Sequence, residues 1–211
     1  RTRDAGAWIV PTMALWEVLY GTADKAVLTS YPELKYMPPN QVAQWTQLYD
    51  ARLAHPSYDA AQAQQVVDAR MRVLKALNDA GARILMGTDA PQQFSVPGFS
   101  LHREMAVMEE AGMTPYEILR SGTYNVGEYF RYRDSFGTLL PGKRADMILA
   151  PGNPLEDLSV LHRPTGVMVR GRWFDRTTLD QRLEEIAALV CLDAGTERRG
   201  PLGEIRQRVD T

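Results

Sequence analysis

Arg83-Ile84-Leu85-Met86-Gly87-Thr88-Asp89-Ala90-Pro91 reads as a short apolar strand that runs straight into a carboxylate. Ile84, Leu85 and Met86 form a continuous apolar run, the pattern of a strand covered on both faces, and Gly87 with the Ala90-Pro91 pair permits a sharp exit. Asp89 is thereby presented at the carboxyl end of a strand, where parallel α/β architectures hold their ligands. A plainer reading competes: loop aspartates commonly cap the following turn with their own side-chain oxygen.

The elements around that strand alternate in type. Trp8 to Leu15 is a β-rich run whose strand should end near Pro11, where a ladder donor is lost. Tyr31 to Pro39 is expected to be a structured loop able to roof a pocket. Helical material follows at Asn40 to Leu53 and again from about Asp59 to Ala80. In that second helix Val66, Val67, Ala69, Met71, Val73, Leu74 and Leu77 supply an apolar face, and Gly81 suits the left-handed position that ends it. Beyond Asp89 a helix is expected from Leu101 to Ala111. Thr114-Pro115-Tyr116-Glu117 then combines an N-cap, proline at the first helical position and a glutamate three residues after the cap. A short helix is expected over Thr123 to Phe130. Gly137 to Leu140, Ala145 to Ala150 and a hairpin over Gly166 to Phe174, tightened at Gly171, read as strands of a small sheet. Leu179, Leu183, Ile186, Ala187 and Val190 keep helical spacing, and the polar tail from Gly195 is expected to be loosely held.

Composition bounds the function classes. The chain has 211 residues, 45% of them hydrophobic and 24% charged, an ordinary globular balance. Its net charge of −2 gives no electrostatic case for nucleic acid or an anionic membrane surface. Small molecules or protein surfaces are the expected partners. A single cysteine, Cys191, excludes an intrachain disulfide framework and a cysteine-based zinc site. No run approaches the roughly 20 apolar residues needed to span a bilayer, so the chain is expected to be soluble.

Read together and in order, several segments resemble the carboxyl-terminal part of the metal-dependent amidohydrolases, in the branch of imidazolonepropionase-like and prolidase-like enzymes. They are the Asp89 stretch, Ser100-Leu101-His102-Arg103-Glu104-Met105, Glu109 through Leu119, Gly137 through Leu149, Gly152-Asn153-Pro154-Leu155 and Val167 through Arg172. The resemblance spans roughly residues 8 to 175. It implies an α/β fold: residues 1–132 as the last units of a (β/α)8 TIM-type barrel, 133–176 as strands of a flanking β-sandwich, and 177–211 as a helix and polar tail. It also implies hydrolysis of amide, cyclic amide or dipeptide-like carbon–nitrogen bonds at one or two divalent ions, with zinc expected.

In that family the metal centre draws on a His-x-His pair and further strand-end histidines, together with an aspartate on the last strand. Asp89 alone matches, as metal ligand and as the carboxylate that takes a proton from metal-bound water and hands it to the leaving nitrogen. His55, His102 and His162 form no His-x-His or His-x-x-x-His pair, and sit on separate elements. His102 is a candidate substrate contact because the loop before it should border the pocket. Met13, Trp16 and Phe94 are candidate pocket residues, with core packing the competing role. Lys143 and Arg144 read as solvated charge, Asp146 as structural, and Asn125 as the organiser of a helix start.

A barrel of eight units takes about 250 residues, yet only two convincing barrel strands stand here. The missing units are expected upstream of Arg1 or on a complementary chain, so the chain is expected to be inactive alone and to assemble with that partner, homo-oligomers being possible as well. Two other readings stay open: a non-catalytic fragment that serves assembly, and a self-contained α/β binding module whose sheet closes without further strands.

Overall fold

The computed structural model describes residues 1–195. Strand β1 (Trp8–Ile9) pairs in parallel with β2 (Arg83–Ile84), and the ladder runs one step further where Leu85 N donates to Ile9 O at 2.8 Å. Between them lie α1 (Met13–Tyr20), α2 (Lys25–Thr29), a 3-10 helix (Pro32–Tyr36), α3 (Pro39–Leu53) and α4 (Ala60–Asp79). After β2 come α5 (Ser100–Glu110), α6 (Pro115–Gly122) and α7 (Tyr124–Phe130). A parallel pair requires such a long crossover, since a tight hairpin can join only antiparallel strands.

The first strand is shorter than the β-rich run suggested. Pro11 offers no ladder donor, Thr12 turns the chain with φ 48, and Met13 already opens α1. Helices α1 and α2 were not expected from the sequence. Helix α4 matches its expected span and is capped by Asp59, whose side chain accepts from Gln62 N. Its buried stripe is narrower than the expected face: Ala63, Val67 and Leu74 are buried, whereas Val73 is 56% exposed. The expected capping box is present, with Glu117 N donating to the Thr114 hydroxyl and Thr114 N donating to the Glu117 carboxylate.

Two apolar clusters hold the helices. Met13, Leu74, Ile84, Met105, Met108 and Ile118 form the first, which clamps β2 between α1, α4, α5 and α6. Val18, Leu28, Trp45, Tyr49 and Phe94 form the second, under α1, α2 and α3. Gly87 lets the two strand ends converge, because a Cβ there would lie 2.6 Å from Val10 Cγ1.

The last strands make a separate antiparallel sheet in the order β3 (Met147–Leu149), β4 (Gly166–Val169), β5 (Arg172–Asp175). Arg170 and Gly171 join β4 to β5 with φ 52 and 80, the pair of left-handed residues that a tight two-residue hairpin demands. The strand expected over Gly137 to Leu140 is absent: Leu139 and Leu140 are exposed, and Lys143 N closes a turn onto Leu140 O instead. Arg144 is not simply solvated, as it bridges Asp134 and Asp146 and lies over the Phe136 ring. Asp146 has the structural role expected of it: it accepts from Arg170 N at 2.7 Å and from Arg144, and these bonds hold its carboxyl below the usual carboxylate range. Helix α8 (Arg176–Gly195) closes the described chain, with Leu179, Leu183, Ala187 and Val190 half-buried and Ile186 exposed. The tail expected to be loose lies, beyond Gly195, outside the described residues.

Candidate functional site

Asp89 follows the strand end in left-handed backbone, φ 53, with its side chain exposed. Among the described residues it makes no hydrogen bond and no ion pair. Aspartate tolerates this backbone better than most residues, yet the conformation remains costly and here no side-chain bond offsets it. The turn-capping role that competes for Asp89 is therefore not taken up.

The loop after it is anchored by packing. Phe94 also has positive φ, 57, and drives its ring into the second cluster, 5.9 Å from Trp45 and 6.3 Å from Tyr49 between ring centres. At 1% exposure Phe94 is a core residue, and it lines a cavity of about 160 Å³ with Glu17, Tyr31, Ser95 and Arg103. Met13 is likewise spent in packing, 2% exposed beside Leu74 and Ile84. Each belongs to an apolar cluster, Met13 to the first and Phe94 to the second, and Asp89 lines neither the groove that Met13 borders nor the cavity that Phe94 borders.

Trp16 is half-buried, stacked 5.6 Å from Tyr20, with the Arg70 guanidinium 3.9 Å above its ring. Its indole nitrogen is buried without a partner. His102 turns to the ring of His162, 4.4 Å away, so two histidines that the spacing kept apart are brought together by the fold. Burial, then His162 and Arg103, lower His102 to about 4. His55 is satisfied locally by the Ser57 hydroxyl at 2.7 Å. Asn125 has a different task from the one expected: its side-chain nitrogen donates to Ile84 O at 2.8 Å and steadies β2.

Glu104 is the residue the sequence reading passed over. It is fully buried on α5 and accepts from Met13 N and Ala14 N, both at 2.9 Å, capping the start of α1. Thr12 at the N-cap position supplies no side-chain bond, so Glu104 satisfies amides that would otherwise be orphaned. Burial outweighs those two bonds and pushes its carboxyl up to about 6. A signal existed: Glu104 falls on the same helical stripe as Leu101, Met105 and Met108, where a charge needs a buried partner.

No group of three or more histidine, cysteine or acidic side chains that could hold a metal ion exists among the described residues. No helix among them is long and apolar enough to cross a membrane. Asp89 is one carboxylate rather than a metal centre.

A family model for the amidohydrolase family matches residues 24–174. The chain belongs to the amidohydrolase family. Among solved structures, this amidohydrolase chain is similar to a bottromycin amidohydrolase, with TM-score 0.69 and 27% identity over 93% of this chain and 43% of that one. Ochratoxinase of A. niger matches with TM-score 0.50 and 26% identity, over 64% of this chain and 31% of that one. A putative prolidase from Bifidobacterium longum shares the fold, with TM-score 0.58 and 21% identity, over 86% of this chain and 40% of that one. The chain spans less than half the length of each. No curated protein matches it.

Proposed function

We propose that this chain is the carboxyl-terminal part of a metal-dependent hydrolase of carbon–nitrogen bonds in an amide, cyclic amide or dipeptide-like substrate. The observation that carries the reading is Asp89: an exposed carboxylate in costly backbone at the end of a parallel strand, with no hydrogen bond or ion pair among the described residues, in a chain of this family. The 27% identity to a bottromycin amidohydrolase over nearly the whole chain supports it.

In this reading β1 and β2 are the last two strands of a TIM-type barrel, and the sheet of β3, β4 and β5 is part of the flanking sandwich. The remaining strands come from polypeptide outside this sequence. Support comes from β1 and β2, which among the described residues pair only with each other, and from the exposed Val10 and Val73 beside them. A groove of about 570 Å³ between β1 and α4, lined by Ile9, Val10, Val66, Val73 and Leu77, is apolar enough to receive a further element of such a barrel. The chain alone would be inactive.

Zinc is the proposed ion, held by Asp89 and by ligands this chain does not contribute. When bound, such an ion supplies polarisation of water and of the scissile carbonyl. Asp89 itself accepts a proton from the attacking water and returns it toward the leaving nitrogen. Trp16, which keeps accessible surface on α1, is the proposed apolar substrate contact.

The test uses the assembled enzyme, with metal analysis and a panel of dipeptide and N-acyl amino acid substrates. Expected are a stoichiometric divalent ion and a loss of turnover by about 10²- to 10⁴-fold in Asp89→Asn. Full turnover in that variant, or hydrolysis by metal-free enzyme, overturns the proposal.

A further inference from the structure

His102 and His162 lie 60 positions apart, yet their rings meet at 4.4 Å between centres and 63° between planes. The contact is held by the fold around it. His162 ends the 3-10 helix Leu158–Leu161, whose Leu158 is buried in the first apolar cluster and whose Leu161 packs against that cluster. His102 stands on the first turns of α5, directly opposite. The pair thus joins the helical body to the segment that leads into the small sheet.

His102 Nδ1 is buried with no hydrogen-bond partner. A buried nitrogen left unpaired loses its water without recompense, so some ligand or contact is called for. Arg103 does not serve it, being engaged with Glu33 and with Phe94 O. His162 is exposed, and the Asp157 carboxylate lies close enough for His162 to help hold its proton off.

The spacing fits one shared ion. A nitrogen–metal bond of about 2.0–2.1 Å puts each ring centre roughly 3.2 Å from the ion, so two imidazoles at an angle between right and tetrahedral have centres roughly 4.5–5.2 Å apart. The observed 4.4 Å falls just short of that range, and a small rotation of the exposed His162 ring would meet it. Imidazole donors select copper, nickel and zinc over calcium and magnesium, with copper(II) bound most tightly. We propose that His102 and His162 form a two-imidazole site for one such divalent ion, water completing its shell, which staples the 3-10 helix to α5. No third histidine, cysteine or acid completes it among the described residues, so the ion is exchangeable.

Copper(II) titrated into the metal-stripped protein tests this, followed by calorimetry, by the nitrogen couplings of its paramagnetic resonance spectrum, and by melting temperature. Expected are one equivalent bound through two imidazole nitrogens and a melting temperature raised by the ion. His162→Gln should weaken binding by about tenfold or more and abolish the thermal shift, since losing a ligand costs at least what losing its supporting partner does. That residue is exposed, so its variant keeps the native circular dichroism spectrum. His55→Ala should bind copper as the parent does. Two-nitrogen binding that survives in His162→Gln, binding lost in His55→Ala instead, or binding no tighter than that of the denatured chain each overturns the proposal.

Discussion

Two carboxylates flank the loop after β2, and the fold treats them in opposite ways. Glu104 is fully buried and satisfied by two backbone amides of α1, whereas Asp89 is exposed and bonded to nothing among the described residues. A buried charge must find partners inside the protein, so its role is to hold geometry. An exposed charge in left-handed backbone that makes no bond among the described residues holds nothing in place there. The difference separates the residue that positions the strand mouth from the residue that the mouth displays.

The largest test of that contrast is Glu104→Ala, which leaves the amides of Met13 and Ala14 unpaired and opens a void. It should cost about 3 kcal/mol in denaturant unfolding, with Glu104→Gln costing about half as much. If Glu104→Ala is neutral, the contrast fails.

The pH dependence of stability sharpens it further. Burial raises the folded pKa of Glu104 from 4.5 to about 6, so the folded state holds that proton more tightly than the unfolded chain does. The associated stability is full below pH 4.5 and is lost as pH rises through about 6, a slope worth about 2 kcal/mol that Glu104→Gln should abolish. His102 works in the other direction. Its folded pKa is lowered from 6.5 to about 4, so its contribution is full above pH 6.5 and is lost as pH falls toward 4. Unfolding curves of His102→Gln between pH 7 and 4 should show a flatter acid limb than the parent, and an unchanged limb would refute the assignment.

Smaller effects follow. Asn125→Ala removes one bond to the Ile84 carbonyl and should cost about 1 kcal/mol, read from the same denaturation midpoints. Asp89→Asn should change stability by less than about 0.5 kcal/mol, the range of surface substitutions that break no internal contact. A large loss there would mean that Asp89 has a structural partner after all.

Local chemistry was legible wherever neighbours in sequence decide the outcome. The capping box at Thr114 and Glu117 and the hairpin tightened at Gly171 involve residues within a few positions of each other, and both form. Asp89 at the end of an apolar run was legible for the same reason. Helix α1 was not, because it begins on amides capped by a residue 90 or more positions away. Helix α2 was passed over although Asp24 caps it locally. Arg144 looked like surface charge until Asp134 and Phe136 folded around it. Met13 and Phe94 could have faced either a pocket or a core, since an apolar side chain carries no mark of which surface it will meet.

Periodicity, caps and turn residues therefore indicated β1 to β5, the helices from α3 onward and the carboxylate that follows the second strand, because those features depend on backbone geometry over a few residues. The pairing of β1 with β2, the reach of Glu104 to α1, the bond from Asn125 to β2 and the meeting of His102 with His162 belong to the tertiary structure alone. Each joins groups tens of residues apart, and only the packing of the apolar clusters between them brings such groups within bonding distance.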